Sequence, residues 1–223
     1  MKNSVFNGIK MFRKDMGNLL FHFTRSRPQG ELSPCNVSLP ANSYGYKTAF
    51  EVLTEIIRSG KLIGSNKFNK GGHCCVSFTE WPVSELASLF AINNELLKCN
   101  KKPRYEPYGI AVTKDWLYQK GGRHVIYQSE SEYTDLPPKL QWRHVRYEPP
   151  NFDFTWEREW RIPCQELFLA PQEVLVIVRD KQEAHNITYG FSQLTSGIDP
   201  NTGINTTWSQ PSWMAVSLDL FGL

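Results

Sequence analysis

Short apolar runs separated by polar and proline- or glycine-containing stretches dominate the second half of this sequence. Runs of this length and composition are typical of strands, and they lie at residues 108–112, 124–127, 142–147, 160–162 and 174–178. Helical spacing of apolar residues instead predicts a helix over residues 46–59, with Gly60 as its C-terminal cap. A second helix is predicted to run from Pro82 to Leu97. Strands and helices are partly segregated rather than alternating, which predicts an α+β fold.

The composition allows a substantial hydrophobic core. Of the 223 residues, 40% are hydrophobic and 21% are charged, which excludes a disordered or collagen-like chain. The length is about one and a half times the ~150 residues of a typical domain, so we expect a single domain over residues 1–223. Within it, residues 25–45 are predicted to form a long loop, and residues 185–223 a C-terminal extension.

Several classes of protein and site are not favoured by the sequence. No apolar run approaches the ~18 residues of a membrane helix, and charged residues near the start argue against a signal peptide. We therefore expect a cytoplasmic protein with no membrane partner. Five cysteines at irregular spacing suggest reduced thiols, and the scattered histidines predict no metal site. There is no dinucleotide-binding or phosphate-loop glycine motif. The net charge of +3 permits a nucleic-acid partner without requiring one.

A histidine within an apolar strand is the first candidate for chemistry. The run Phe21-His22-Phe23-Thr24 alternates along a strand, so His22 and Thr24 are expected on one face and the two phenylalanines on the other. An imidazole beside a hydroxyl suits a ribose or a carbonyl group. The alternative is a core histidine whose ring is satisfied by one backbone carbonyl.

A second candidate is the charged segment between Trp156 and Pro163. If it is extended, Glu157, Glu159 and Arg161 project from one face of a strand. A carboxylate among aromatic side chains is partly desolvated and responds strongly to a nearby charge, so Arg161 would hold it ionised. The alternative is an ordinary cross-strand salt-bridge ladder, which contributes little at a surface.

Further segments follow these two in a recognisable order. The chain has a His-x-Thr strand, a helix that ends in a Gly-x-Leu turn, an apolar strand before a proline turn, a Tyr-Gly-Ile strand with a Lys-x-Trp helix, a Val-Ile-Tyr strand, a glutamate-bearing strand and an apolar strand. They occupy residues 22–24, 53–62, 76–82, 108–116, 125–127, 159–162 and 174–178. This order resembles the ADP-ribosyltransferase fold of DarT-type toxins and AbiGi-like abortive-infection proteins. The resemblance implies split mixed and antiparallel sheets with flanking helices.

The resemblance also implies an activity. The chain would be an NAD-dependent mono-ADP-ribosyltransferase, a toxin or phage-defence effector that breaks the nicotinamide–ribose bond through an oxocarbenium-like transition state. Glu159 matches the catalytic glutamate, and Glu157 is the candidate to position or deprotonate the acceptor. His22 and Thr24 would bind a ribose of NAD. One of three aromatic residues would stack on nicotinamide; these are Phe78, Tyr108 and Tyr127. NAD is a substrate here, and no metal is implied.

The acceptor and the partners are left more open. DNA, RNA and protein acceptors all suit the resemblance, and an antitoxin or other neutralising protein is a possible partner. Glu80 stands near the position where nucleic-acid-targeting members carry an arginine, and residues 25–43 are longer than the family's loop. Basic residues in loops would line an acceptor groove or form a solvated face; they are Arg25, Arg27, Lys67, Lys70, Lys101, Lys102 and Arg104.

Three other functions fit the same residues. An NAD glycohydrolase of this fold would pass the ribose to water instead of to an acceptor. A non-catalytic binding or antitoxin module would keep the fold alone. A nuclease would need Glu80, Glu157 and Glu159 to gather around Mg²⁺.

Overall fold

The computed structural model describes residues 17–28, 46–67, 69–82, 105–191, 193–198, 202–210 and 213–221, together with positions 85, 86, 88 and 90. Most of the predicted loop 25–45 and most of the predicted helix from Pro82 to Leu97 lie outside these residues. The same is true of Lys101, Lys102 and Arg104.

Fifteen strands and three α-helices have both ends within the described part of the chain, and the described positions 86, 88 and 90 are also helical. The strands are β1 (Leu19–Phe23), β2 (Arg27–Pro28), β3 (Tyr46–Lys47), β4 (Lys61–Ile63), β5 (Cys75–Phe78), β6 (Gly109–Thr113), β7 (Arg123–His124), β8 (Ile126–Gln128), β9 (His144–Arg146), β10 (Trp160–Pro163), β11 (Glu166–Phe168), β12 (Leu175–Val178), β13 (Gln193–Ile198), β14 (Asn205–Gln210) and β15 (Met214–Ser217). The helices are α1 (Ala49–Ser59), α2 (Lys114–Gln119) and α3 (Lys181–Gly190). These proportions make the protein an α+β fold, as the sequence predicts.

A four-stranded mixed sheet with the order β1-β6-β12-β15 forms the centre of the fold. The β1–β6 and β6–β12 pairs are antiparallel, and the β12–β15 pair is parallel. Alternate residues of these strands enter two separate hydrophobic clusters: Leu20 and Ile110 enter one, Phe21 and Ala111 the other. Both faces of the sheet are therefore covered. The C-terminal region, predicted as an extension, supplies β15 to this sheet.

A three-stranded antiparallel sheet with the order β5-β10-β7 packs beside the central sheet. Its register places Phe78 opposite Trp160 and Ser77 opposite Arg161. Phe78 and Trp160 belong to the larger hydrophobic cluster. The two sheets also meet through an antiparallel bridge after β5, in which Phe21 and Thr79 exchange backbone hydrogen bonds of 2.9 and 2.8 Å. Other pairs are β2–β3, β4–β11, β8–β9 and β13–β14.

Local capping explains where two of the helices begin and end. Helix α1 starts with a capping box in which the Thr48 side chain accepts from the Glu51 N–H and the Glu51 carboxylate accepts from the Thr48 N–H. It ends at Gly60, whose left-handed backbone (φ 63°) suits glycine. The predicted helix is thus confirmed from residue 49 onward, while Tyr46–Lys47 form β3 instead. Thr113 caps α2, because its side chain accepts from the Trp116 N–H.

Two predicted strands are shorter than expected. The first two residues of the 142–147 segment belong to a 3₁₀ helix, Pro138–Arg143, so β9 starts only at His144. The 124–127 segment is divided at Val125, whose N–H donates to the Glu159 carbonyl at 3.0 Å. Contacts made by tertiary structure therefore overrode the local strand pattern in both places.

One cysteine differs from the expectation of reduced thiols. Cys74 is joined in a disulfide bond, whereas Cys75 and Cys164 are free. Whether a cysteine pairs depends on its distance from a partner in space, which spacing along the chain does not give.

The close approach of β1 to β6 at Gly109 can be tested by a substitution. A Cβ at this position would lie 2.5 Å from the His22 carbonyl oxygen and 3.0 Å from the Phe23 Cα. Gly109→Ala should therefore push β1 away and lower the free energy of unfolding by about 1–3 kcal/mol in a urea titration. Gly190→Ala is the matched control, because a Cβ there meets nothing within 4 Å. Equal stability of the two variants would contradict the close strand approach.

Candidate functional site

Glu159 lies directly before β10, and its carboxylate is held by Arg161. The Arg161 Nε donates to Glu159 Oε1 at 2.8 Å, and Nη2 donates to Oε2 at 3.2 Å. The Arg161 Nη1 donates to the carbonyls of Trp142 and His144, both at 3.1 Å. The Arg161 and Glu159 side chains are only 7% and 14% exposed. A two-point pair between largely buried groups fixes the orientation of the carboxylate.

The His22 imidazole extends from β1 and forms a hydrogen bond to β5, the strand that pairs with β10. Its Nδ1 donates to the Ser77 carbonyl at 2.8 Å, and its ring meets Phe78 edge-on at a centroid distance of 5.7 Å. Burial lowers the pKa of His22, and the bond to Ser77 opposes this in part. The register puts Arg161 on the Ser77 face of the β5–β10 pair and Phe78 on the other face. The imidazole thus meets the Phe78 face of this pair, whereas Arg161, which holds the Glu159 carboxylate, lies on the opposite, Ser77 face.

Tyr127 connects β8 to the Glu159 backbone. Its hydroxyl accepts from the Glu159 N–H at 3.1 Å and donates to the Phe154 carbonyl at 3.1 Å. Burial is the main cause that raises the pKa of Tyr127 to about 12. The neutral hydroxyl therefore holds the turn before β10 in place.

Thr24 and Tyr108 form a second group. The Thr24 hydroxyl donates to the carbonyls of Ala49 and Tyr108, at 2.9 and 3.2 Å. The Tyr108 hydroxyl donates to Glu183 Oε1 at 2.9 Å, and burial raises the pKa of this phenol. Thr24, Tyr108 and Phe78 are all buried, at 4%, 8% and 2% exposure. In the structure, these three residues therefore contact the interior of the protein.

The sequence pattern predicted that Glu157 and Glu159 lie on one strand, but in the structure Glu157 is not part of a strand. Residues Thr155–Glu157 form a 3₁₀ helix, and Arg158 follows with a left-handed backbone (φ 45°, ψ 50°). This turn breaks the alternation that would have placed Glu157 and Glu159 on one face. The Glu157 carbonyl accepts from the Thr79 hydroxyl at 2.6 Å and from the Glu80 N–H at 3.3 Å.

Glu80 is the centre of a charged cluster to which the sequence pointed only in the nuclease alternative. Its side chain is 3% exposed and pairs with the Lys114 ammonium at 2.5 Å. The Arg158 guanidinium lies 3.8 Å from Oε1 and the His124 Nε2 lies 3.9 Å from Oε2. The Trp160 indole N–H donates to Oε2 at 3.5 Å. A buried carboxylate with one close ammonium, a more distant guanidinium and an imidazole is thus built at the end of β5.

This cluster borders a cavity of about 370 Å³. The described residues that line it are Glu80, His124, Val125, Tyr127 and Arg158. His124 lies over the Trp160 ring at a centroid distance of 4.1 Å, and half of its side chain is exposed. Burial lowers the pKa of His124, with Glu80 raising it and Lys114 and Arg143 lowering it. His22 and Glu159 are not among these lining residues.

The left-handed backbone of Arg158 is unusual for a residue with a side chain. It is the only described residue other than glycine with a positive φ. Such conformations cost free energy and are concentrated at functional sites. Here the turn separates the 3₁₀ helix from β10, and the Arg158 side chain lines the cavity beside Glu80. No local sequence signal marks this position.

Comparison with protein-family models, curated proteins and solved structures gives no match. In the described residues, no three His, Cys, Asp or Glu side chains are grouped so that they could hold a metal ion. None of the helices in this part of the chain combines the length and the apolar character needed to cross a membrane. The candidate site is therefore assessed from its own geometry.

The largely buried His22 should make stability depend on pH. The unfolded chain takes up this proton near pH 6.5, whereas the lowered pKa of the folded state postpones protonation to more acidic pH. Between these values the unfolded state binds more protons, so the free energy of unfolding should fall as the pH falls from 7 to 5. His22→Gln should flatten this dependence in urea titrations at pH 7, 6 and 5. An unchanged slope would contradict a buried neutral imidazole.

Breaking the Glu80–Lys114 pair should destabilise the protein. Both side chains are largely buried, at 3% and 13% exposure, so Glu80→Gln leaves an uncompensated ammonium and should cost about 3 kcal/mol of unfolding free energy. The matched control is Glu130→Gln, which removes a surface pair with Lys70 and should change little. Urea denaturation compares the two. If Glu80→Gln behaved like its control, the pair would not be a buried one.

Proposed function

We propose that this chain is an NAD-dependent mono-ADP-ribosyltransferase, a toxin or phage-defence effector that modifies DNA, RNA or protein. The observation that supports this best is the Glu159 carboxylate, whose two oxygens are both bonded by Arg161 at the start of β10. The reaction needs an ionised carboxylate held in one orientation, since positive charge develops on the ribose as the bond to nicotinamide breaks.

The proposed reaction runs as follows. The bond between the ribose C1′ and the nicotinamide nitrogen breaks, and its electron pair leaves with neutral nicotinamide. The acceptor donates an electron pair to C1′ and loses a proton, which completes the transfer. Glu159 stabilises the cationic ribose, and the Tyr127 hydroxyl keeps the Glu159 backbone in position. Arg161 bonds both carboxylate oxygens and prevents the group from rotating.

His22 is assigned to a ribose hydroxyl in this scheme. Its Nδ1 donates to Ser77, which leaves Nε2 as the nitrogen that accepts from a ligand, because a neutral imidazole carries one donor and one acceptor. The same β5 strand that accepts from His22 pairs with β10. The imidazole meets the Phe78 face of this pair and Arg161 lies on the Ser77 face, so a bound NAD would have to reach both faces.

One specific observation favours a different function, a non-catalytic binding or antitoxin module of the same fold. Both Glu159 oxygens already have a partner within the chain, and the carboxylate is mostly buried. A pair of this kind also stabilises a fold without any ligand. The experiment below separates this module, the transferase and the glycohydrolase.

Glu159→Gln tests the proposal. Wild-type protein given NAD labelled in the adenosine half should release nicotinamide and transfer label to single-stranded DNA, RNA or a protein extract. Glu159→Gln should reduce both by at least about a hundredfold, and expression of wild type but not of the variant should slow host growth. Glu166→Gln is the control, because Glu166 on β11 pairs with Lys61 on β4 and not with Arg161 or Glu159. It should retain activity.

The outcomes distinguish the three functions. Nicotinamide release without transfer would identify a glycohydrolase. No NAD turnover by wild type, with growth unaffected, would overturn the enzyme and leave the binding module. Circular dichroism of Glu159→Gln checks that the loss does not come from unfolding.

A further inference from the structure

The cavity beside Glu80 combines an arginine and an imidazole, which the proposed NAD reaction does not use, with the ring of Tyr127. That reaction uses only the Tyr127 hydroxyl, which holds the Glu159 backbone. The Arg158 guanidinium and the His124 imidazole line the cavity, and Tyr127 supplies an aromatic ring. Its volume of about 370 Å³ falls within the range of small-molecule sites. Glu80 is the one carboxylate among the described lining residues, and Lys114 pairs with it at 2.5 Å. The charge of Glu80 is therefore largely compensated before any ligand enters.

Two more arginines extend the positive charge beyond the cavity. Arg143 donates from Nε to the His124 carbonyl at 2.7 Å, and Arg123 donates from Nη1 to the carbonyls of Tyr118 and Gly122. Within the described part of the chain, neither forms an ion pair with a carboxylate. Burial and then the charge of Arg123 lower the pKa of Arg143, so the two guanidinium groups lie close enough to repel each other. An anion bound between them would relieve that repulsion.

Aromatic side chains beside these arginines are exposed or line the cavity. Arg123 lies over the Tyr118 ring at 3.8 Å from its centroid, and the Tyr118 side chain is half exposed. His124 lies over Trp160 and is itself half exposed. An arginine guanidinium can donate two parallel hydrogen bonds to a phosphate, and aromatic rings stack on nucleobases. The combination suits a ligand that carries both a phosphate and a base.

We propose that this cavity binds the phosphate group of a nucleotide, with Arg158 on the phosphate oxygens and Tyr127 and His124 beside the base. Arg143, bonded to the His124 carbonyl, adds positive charge next to the cavity. The phosphate belongs either to a free nucleotide or to a nucleic-acid strand. Both sources present the same phosphate and base to the cavity, and they differ in whether the surface outside the cavity is also contacted. In a strand, Arg123 contacts a neighbouring phosphate. The proposal goes beyond NAD cleavage and does not depend on it, because binding is measured without NAD.

Isothermal titration calorimetry with defined probes tests this site. The probes are an equimolar mixture of the four nucleoside 5′-monophosphates, the corresponding nucleosides, inorganic phosphate and a single-stranded decanucleotide. Monophosphates should bind more tightly than nucleosides. If the source is a free nucleotide, the monophosphates should bind at least as tightly as the decanucleotide. If it is a strand, the decanucleotide should bind more tightly and weaken steeply with added salt.

Variants assign the binding to this cavity. Arg158→Gln should weaken phosphate-dependent binding by about tenfold or more, because it removes a charge-assisted hydrogen bond. Arg143→Gln should weaken it by a smaller factor, because it removes a positive charge next to the cavity. The matched control is Arg58→Gln, an exposed position at the end of α1, which should bind like wild type. Since Arg158 also contacts Glu80, circular dichroism confirms folding, and Arg143→Gln provides a second, independent variant.

Three results would overturn the proposal. One is equal affinity of nucleosides and monophosphates together with no binding of the decanucleotide. Another is wild-type affinity in both Arg158→Gln and Arg143→Gln. The last is an equal loss of affinity in Arg58→Gln, which would indicate attraction to overall charge instead of a site. Loss of NAD turnover in the Glu159→Gln experiment affects none of these readings.

Discussion

The antiparallel pairing of β5 with β10 is the constraint on which the candidate site depends. It sets Phe78 against Trp160 within the hydrophobic core, and in the next register position Ser77 against Arg161. Because side chains alternate across a sheet, anchoring the apolar pair in the core turns Arg161 to the other face. A shift of one residue would turn the guanidinium into the hydrophobic core and the indole out of it. The core therefore fixes the position from which Arg161 holds Glu159.

The burial of Glu80, just after β5, is a second consequence of the same packing. Thr79 bridges to Phe21 on β1 and bonds to the Glu157 carbonyl, so the chain at Glu80 is held from two sides. This places a carboxylate where it is 3% exposed, and a buried carboxylate requires a counter-charge. Lys114 supplies it from the first position of α2. The charged cavity is thus a product of backbone constraints that serve the core.

The sequence predicted those features that depend on neighbouring residues. The end of helix α1 follows from Gly60, because a glycine cap acts within one helical turn. The turn at Arg158 was missed because a left-handed backbone at a residue with a Cβ is stabilised only by distant contacts. The cavity was missed because Glu80 and His124 come from separate segments. Strand alternation held for Trp160 to Ile162 and failed where the turn interrupts it.

The Arg161–Glu159 pair is compatible with both a structural and a catalytic role, and the hydrogen-bonding capacity of a carboxylate explains why. An ionised carboxylate offers about four lone-pair sites, and Arg161 occupies one on each oxygen. Capacity therefore remains for a ribose hydroxyl, provided that the ligand approaches from the side opposite the guanidinium. A protein that needs the pair only for stability gains nothing from this remaining capacity. In an enzyme the same capacity is the part of the side chain that does chemistry, while the arginine fixes its direction. The pair thus identifies Glu159 as oriented, and NAD turnover decides whether that orientation is used.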